Sequence, residues 1–314
     1  MTEWLNFAVN NRYMSIYPYN EFHNVKYNGN SGGEGRFSRV ASAEWPCTNR
    51  KVALKNLKNF NVDKFVSEVQ MHTQSHSSKN IVRFLGLTKE NETGVSYLMV
   101  FEYADRNNLR IFLKSLKLDL MIRVKLSLDI AKGLSYLHQL KIIHRDLHSN
   151  NIVINQVHSC DQLEFIAKIT DFGSAINEED DDINDKTGVI GQIPFTDPQY
   201  LNNPKHYRKN MKSDIYSLGV ILWEISSSKA PFENFMADSR GEFRDLCLTF
   251  EIINDYRERH TLFTPENFVK LSRQCWDNDP NKRPDIKTVI DDLNSIFAGL
   301  PQVLERNATI GKSH

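Results

Sequence analysis

Near residue 105 the chain changes its hydrophobic period, and that change constrains its fold more than any other feature. Before it, EFHNVKY, FSRVASAEW, KVALKNL, IVRFLGL and VSYLMVFEY read as strands divided by turns rich in Gly, Asn and Ser. One helix interrupts them, NVDKFVSEVQMHTQ, in which Val62, Phe65, Val66 and Val69 recur at helical spacing. After it the pattern is helical, first NLRIFLKSL and then LDLMIRVKLSLDIAKGLSYLHQL, whose Leu120, Val124, Leu128, Ala131 and Leu134 make one apolar face. A β-rich stretch, IIHRDLHSNNIVI and FIAKITDFG, and the acidic segment NEEDDDINDKTG precede the later helices SDIYSLGVILWEIS, ENFVKLSRQCWD and IKTVIDDLNSIFAGL. At 314 residues the chain exceeds one compact core. The pattern therefore predicts an α+β molecule of two lobes sharing a cleft: an extension over 1–20, a small sheet lobe over 21–103, a larger helical lobe over 104–300 and a tail over 301–314.

Charge narrows the partners. Lys plus Arg equals Asp plus Glu at 39 each, so no global field draws the chain to nucleic acid or to an anionic membrane. No stretch approaches the roughly 20 apolar residues of a membrane span, and MTEWLNFAVNNRYM lacks a signal-peptide core. The four cysteines are scattered without metal-ligand spacing and read as reduced thiols. The expected compartment is the cytoplasm, with the nucleus as the alternative. Oligomeric state leaves no mark on the sequence.

Several short motifs carry chemistry. HRDLHSNN sets Asp146 five residues before Asn151 on a loop between short strands. DFG, Asp171 to Gly173, follows the strand FIAKIT, so a carboxylate at a strand end projects into the cleft. VALK ends a strand on Lys55, and Glu68 lies in the middle of the next helix. NSGGEGRFSRV carries Gly33, Gly35, Ser38 and Val40 between two strands, where glycines let backbone amides approach a phosphate. Taken singly, each has a bland reading: a turn cap, a solvated strand tip, an exposed helical Glu, a linker. Taken together, in this order, they resemble the eukaryotic protein kinases from about Phe22 to Leu300. SLGVILWEI and CWDNDPNKRP look most like the tyrosine-kinase-like branch of that family.

The resemblance implies a two-lobed kinase fold that takes ATP and a protein substrate. It implies that Asp146 orients the acceptor hydroxyl and accepts its proton, and that Asn151 and Asp171 hold Mg²⁺, with Mn²⁺ as the alternative. Lys55 would contact the α and β phosphates and pair with Glu68, and Gly33, Gly35, Ser38, Val40 and Ala53 would enclose the nucleotide. The backbone at Glu102 and Ala104 would receive the adenine behind a bulky Phe101. A β-hairpin with a long turn is expected between Asn151 and Asp171, around VHSCDQLE.

The chain departs from the family at four places. Ser38 replaces the third glycine of the loop. His148 stands where Ser/Thr kinases carry Lys and Tyr kinases Ala or Arg, and Gln192 where a Thr often accompanies that Lys. The APE triplet reads DPQ, Asp197 to Gln199, so Arg283 is expected to lose its acidic partner to a neutral one. Serine and threonine are favoured as acceptors over tyrosine. Two expectations concern regulation: a protonated His148 partly replaces the missing Lys as pH falls toward the His pKa, and the run Glu178 to Asp182 reads first as a solvated charge run, with docking near Arg145 in place of a phosphate as the alternative. The runner-up to an active kinase is a pseudokinase, a scaffold binding nucleotide or a partner without turnover.

Overall fold

In a computed structural model the backbone is described for residues 14–27, 38–57, 61–90, 97–159, 162–180, 192–233, 235 and 244–310. A six-stranded sheet forms the first half, from β1 (Ile16–Pro18), β2 (His23–Tyr27), β3 (Ser38–Trp45), β4 (Arg50–Leu57), β5 (Phe84–Lys89) and β6 (Tyr97–Glu102). Their spatial order is β1-β5-β6-β4-β3-β2, antiparallel throughout except for β1 on β5. Ala41, Ala43, Val52 and Leu54 alternate onto one buried face with Phe22 and Trp45. The other face receives helix α1 (Val62–Gln74), whose start is capped by Asn61 accepting the Lys64 amide and whose inner side buries Phe65, Val66, Glu68, Val69, Met71 and His72.

The second half is helical, as the change of period predicts. α2 (Leu109–Ser115) and α3 (Leu120–Gln139) lead to the short β7 (Ile142–Ile143), then to the hairpin β8 (Ile152–Ser159) and β9 (Gln162–Ile169), and to β10 (Ile176–Asn177), which pairs with β7. The hairpin is in continuous register over all eight residues of each strand up to Ser159 opposite Gln162, so the long turn expected there is corrected: the surplus residues lengthen the strands instead. α4 (Pro198–Asn202), α5 (Met211–Ser227), α6 (Arg244–Ile253), α7 (Glu266–Cys275) and α8 (Ile286–Ile310) complete the lobe.

α5 is its axis. A capping box at Asn210 and Ser213 starts it, and every residue from Ser213 to Ile225 is buried. Full burial of Leu218, Ile221 and Leu222 stabilises the lobe by about 1.5–3 kcal/mol each. Gly219 lets α7 approach: a Cβ there would lie 2.8 Å from the Trp276 amide and 2.9 Å from Cys275 Cβ. Because α5 is rigid, whatever hangs from its first turn is fixed in space, and Asp214 in that turn holds the loop that starts at His144 and Arg145.

Candidate active site

Asp214 is 1% exposed and accepts three hydrogen bonds: from Arg145 N (2.9 Å), from His144 N (2.9 Å) and from His138 Nε2 (3.0 Å). Burial alone would raise its pKa, but the His138 bond and charge outweigh it and hold the group below the usual carboxylate range. These bonds offset a backbone cost, because Arg145 sits at φ 63 in the left-handed region; Asp171, across the site, is left-handed too at φ 67. His144 bridges the two turns: its Nε2 donates to Thr170 O (3.1 Å) and its Nδ1 accepts from Asp146 N (3.4 Å), bonds that fit a single tautomer. Neither Thr170 nor the φ of Arg145 is announced by the sequence, since both are backbone roles.

Asn151 closes the loop on itself. Its amide donates to His148 O (2.8 Å), its Nδ2 to Asp146 O (3.0 Å), and its own carbonyl accepts from Thr170 N (2.9 Å). With Nδ2 so committed, Oδ1 is left as an acceptor. Asp171 Oδ1 binds Lys55 Nζ (2.7 Å) and Gly173 N (3.3 Å), which leaves Oδ2. Two hard oxygens on adjacent, hydrogen-bonded segments fit Mg²⁺ or Mn²⁺, which keep water and substrate phosphates as further ligands. Among the described residues no cluster of three or more His, Cys, Asp or Glu exists, so a metal here takes the rest of its shell from outside the protein.

Across the cleft, Lys55 meets both carboxylates, Asp171 and Glu68, at a site where Lys55 is 6% and Glu68 1% exposed. Burial alone would lower the Lys55 pKa, but the charges of Asp171 and Glu68 raise it above its ordinary value. The same charge, against the cost of burial, holds Asp171 far below the carboxylate range. Lys55 is thus a fixed cation and Asp171 a fixed anion. Strand register sets Val40 opposite Lys55, and Ala53 lies two residues from Lys55, so Val40, Ala53 and Lys55 share one face of the sheet. Gly33 and Gly35 lie outside the described residues, and Ser38 is described only by its backbone at the start of β3.

At the end of β6, Glu102 turns its side chain away from the site, accepting from Arg83 N (2.8 Å) and Lys168 Nζ (2.6 Å). Phe101, 4% exposed, is both core and rear wall. It meets His72 edge-on at 4.6 Å, and His72 stacks on Phe172 at 4.2 Å. His72 escaped the sequence reading, although its place four residues after Glu68 puts it on the same helix face. Burial lowers its pKa.

Two departures resolve differently from expectation. Arg283 keeps an acidic partner: Asp197 binds it through both oxygens, at 2.7 Å and 3.0 Å, with both side chains at 0% exposure. Gln199 instead donates to Asn278 O (3.0 Å). The carboxylate has moved two residues along the triplet, and Asp197 also accepts from Ser213 Oγ (2.8 Å), Tyr207 Oη (3.0 Å) and the Gln199 amide (2.9 Å). His148 is 7% exposed, its Nε2 lies 3.8 Å from an Asp146 oxygen, and burial lowers its pKa despite that carboxylate. Burial thus works against the protonated form that would stand in for Lys. In the acidic run Glu178 pairs with Lys141 (3.1 Å) and Asp180 accepts from Asn177, while Arg145 Nε donates to Ser174 O (2.6 Å). Asp181 and Asp182 lie outside the described residues.

A cleft between sheet and helices, a Lys–Glu pair under the sheet, and two hard oxygen donors beside a carboxylate loop define a phosphate-handling domain of the protein kinase type. Residues 28–293 match the protein tyrosine and serine/threonine kinase family, and the chain belongs to it. It is 33% identical over 310 residues to dual specificity protein kinase zak2 of Dictyostelium discoideum, covering 88% of this chain and 46% of that one. The serine/threonine/tyrosine-protein kinase HT1 of Arabidopsis thaliana is 29% identical over 245 residues, 74% of this chain and 56% of its own length. A mouse protein, the megakaryocyte-associated tyrosine-protein kinase, is 29% identical over 269 residues, 83% of this chain and 47% of its own. The chain thus spans about half the length of these relatives. Such relatives agree with the tyrosine-kinase-like branch.

Proposed function

We propose that this domain transfers the γ-phosphate of ATP to hydroxyl groups on proteins, serine and threonine first, with Mg²⁺ as the metal in preference to Mn²⁺. One observation carries the reading: Lys55, Glu68 and Asp171 form a continuous chain of charge across the cleft, and Asp171 is tied through Thr170 to the loop holding Asp146 and Asn151. Bound Mg²⁺ would neutralise phosphate charge and orient the γ-phosphate. Asn151 Oδ1 and Asp171 Oδ2 would hold it. Lys55 supplies a cation whose charge does not titrate near neutrality, and Asp146 accepts a hydrogen bond from the acceptor hydroxyl and takes its proton as the bond to phosphorus forms. The adenine would bond the backbone at Glu102 and Ala104, with Val40 and Ala53 against the ring and Gly33, Gly35 and Ser38 over the phosphates.

The pseudokinase reading loses its support from Gln199, because Arg283 is satisfied by Asp197. The dual-specificity name of zak2 and the serine/threonine/tyrosine name of HT1 support tyrosine as a second acceptor class. A cytoplasmic setting, with the nucleus as alternative, belongs to this proposal, ATP being plentiful in both. The test is transfer of labelled γ-phosphate from ATP with Mg²⁺ to the protein itself and to a generic protein substrate, followed by phosphoamino-acid analysis. The expected result is phosphoserine and phosphothreonine from the wild type, and a fall of about 10²–10⁴-fold for Asp146→Asn, the usual share of a positioned base. Equal label with both proteins would refute the assignment.

A further inference from the structure

The segment before the family-matched region has no part in the chemistry described above, yet it is built into the fold next to α1. Ser15 O accepts the Leu87 amide (2.9 Å), β1 runs parallel to β5 with Ile16 opposite Leu87, and Tyr17 Oη donates to Leu85 O (3.2 Å). Tyr17 also packs edge-on against Trp45 at 4.5 Å. Room for this segment is made by Gly86, at φ 148, where a Cβ would lie 2.4 Å from Ser15 O and 2.9 Å from the Tyr17 ring. A three-residue parallel pairing holds little by itself. What anchors it is Met14, 7% exposed, in one cluster with Phe65, Val66 and Val69 of α1, with Leu87 and Met99 of the sheet, and with Phe101.

We propose that Met14 is a positioning residue for phosphoryl transfer, a plug from outside the kinase-matched region that keeps α1 against the sheet so that Glu68 reaches Lys55. The geometry requires this direction of effect. Glu68 lies three residues after Phe65, on the same face of α1, so its reach is set by how Phe65 packs, and Met14 belongs to the cluster that buries Phe65. An unbranched thioether suits a gap between a helix and an edge strand. Emptying the gap lets α1 relax outward or roll. The burial of Glu68, whose Oε2 has no hydrogen-bond partner among the described residues, then gives way to solvent, which favours the displaced position.

The inference rests on the kinase reading, and its test has one arm that does not. In the first, kcat/KM for ATP is measured for Met14→Ala, for Met14→Leu, and for Met14→Ala in a Glu68→Gln background. The expected result is a loss of about tenfold for Met14→Ala, the size of a modest population shift, with recovery in Met14→Leu. No further loss is expected in the Glu68→Gln background, since both changes act on the same ion pair. In the second arm, amide hydrogen exchange is followed in α1 and α5 for Met14→Ala and for Gly86→Ala, which dislodges the segment without touching Met14. Faster exchange in α1 with α5 unchanged is the expected result. Undiminished loss in the Glu68→Gln background, or a lowered melting temperature with kcat/KM within about twofold of wild type, would overturn the proposal. So would unchanged α1 exchange in both variants. Absence of transfer by the wild type would count against the kinase reading instead, and the exchange arm would still decide the role of Met14.

Discussion

Replacing Asp197 by Asn is the sharpest perturbation of the fold that the structure offers. It leaves Arg283, 1% exposed, with its charge buried and its carboxylate partner gone. Breaking a buried ion pair by removing one member costs about 3–5 kcal/mol, because the surviving charge is neither solvated nor paired. For a chain larger than 250 residues each kcal/mol shifts the melting temperature by about 2 °C, so a fall of about 6–10 °C is expected. Thermal unfolding at a fixed scan rate, read by circular dichroism at neutral pH, measures it. The pH dependence follows from the lowered pKa of Asp197: the stabilisation is present above the unfolded value near pH 4 and is lost as pH falls through the folded one, so the wild type and Asp197→Asn converge in acid. A second pair of variants isolates the cause. Asn278 O is shared by Gln199 Nε2 and, at 3.4 Å, by Arg283 Nη2, so residue 199 lies within reach of the guanidinium. Adding Gln199→Glu to Asp197→Asn should therefore recover a large part of the loss. A melting shift below about 2 °C for Asp197→Asn, or no recovery with Gln199→Glu, would refute the reasoning.

Asp171→Asn removes a charge that opposes Lys55 and one oxygen proposed for the metal, so half-saturation by Mg²⁺ should rise about tenfold or more, measured by titrating Mg²⁺ at fixed ATP. His148, whose protonated form burial disfavours, should add no limb to the profile of kcat on the alkaline side of neutrality: the His148→Ala profile is expected to parallel the wild type there, and a wild-type limb missing from the variant would contradict the assignment. Gly219→Ala should destabilise by about 1–3 kcal/mol, since its Cβ would overlap the backbone of Trp276, with wild-type KM for ATP in the fraction that remains folded, checked by denaturant titration and steady-state kinetics.

What the sequence disclosed, and what it withheld, divides along a physical line. The strands and helices follow from period, and the long hairpin between Asn151 and Asp171 was visible as surplus residues between two motifs. That Lys55 meets Glu68 and Asp171, and that Asp146 and Asn151 close one loop, was legible because the kinase resemblance sets those residue types at those spacings. Asp197 was misjudged because a motif letter was equated with an interaction; the guanidinium requires a carboxylate within reach, and the backbone offers more than one place to attach it. His72 and Met14 were missed because an apolar neighbourhood leaves no motif, only a face, and which face meets which strand is decided by tertiary packing. His148 was read with its solution pKa, and burial changed that.

The first strand has one more consequence, for the sheet's edges. β1 covers β5 with three residues that end on Pro18, which has no amide to offer, and at the opposite edge β2 is bent by a register shift between His23 and Lys26 with Asn24 at φ 51. Both margins are thus too short or too crooked to template another chain, which is how sheets avoid pairing with their neighbours. A chain begun at residue 28, where the family match starts, loses both strands at once and bares the eight-residue margin of β3 and the apolar flank of β5. Such a chain should remain competent to fold its helical half and yet associate edge to edge, and its solubility, rather than its active site, would report the missing residues.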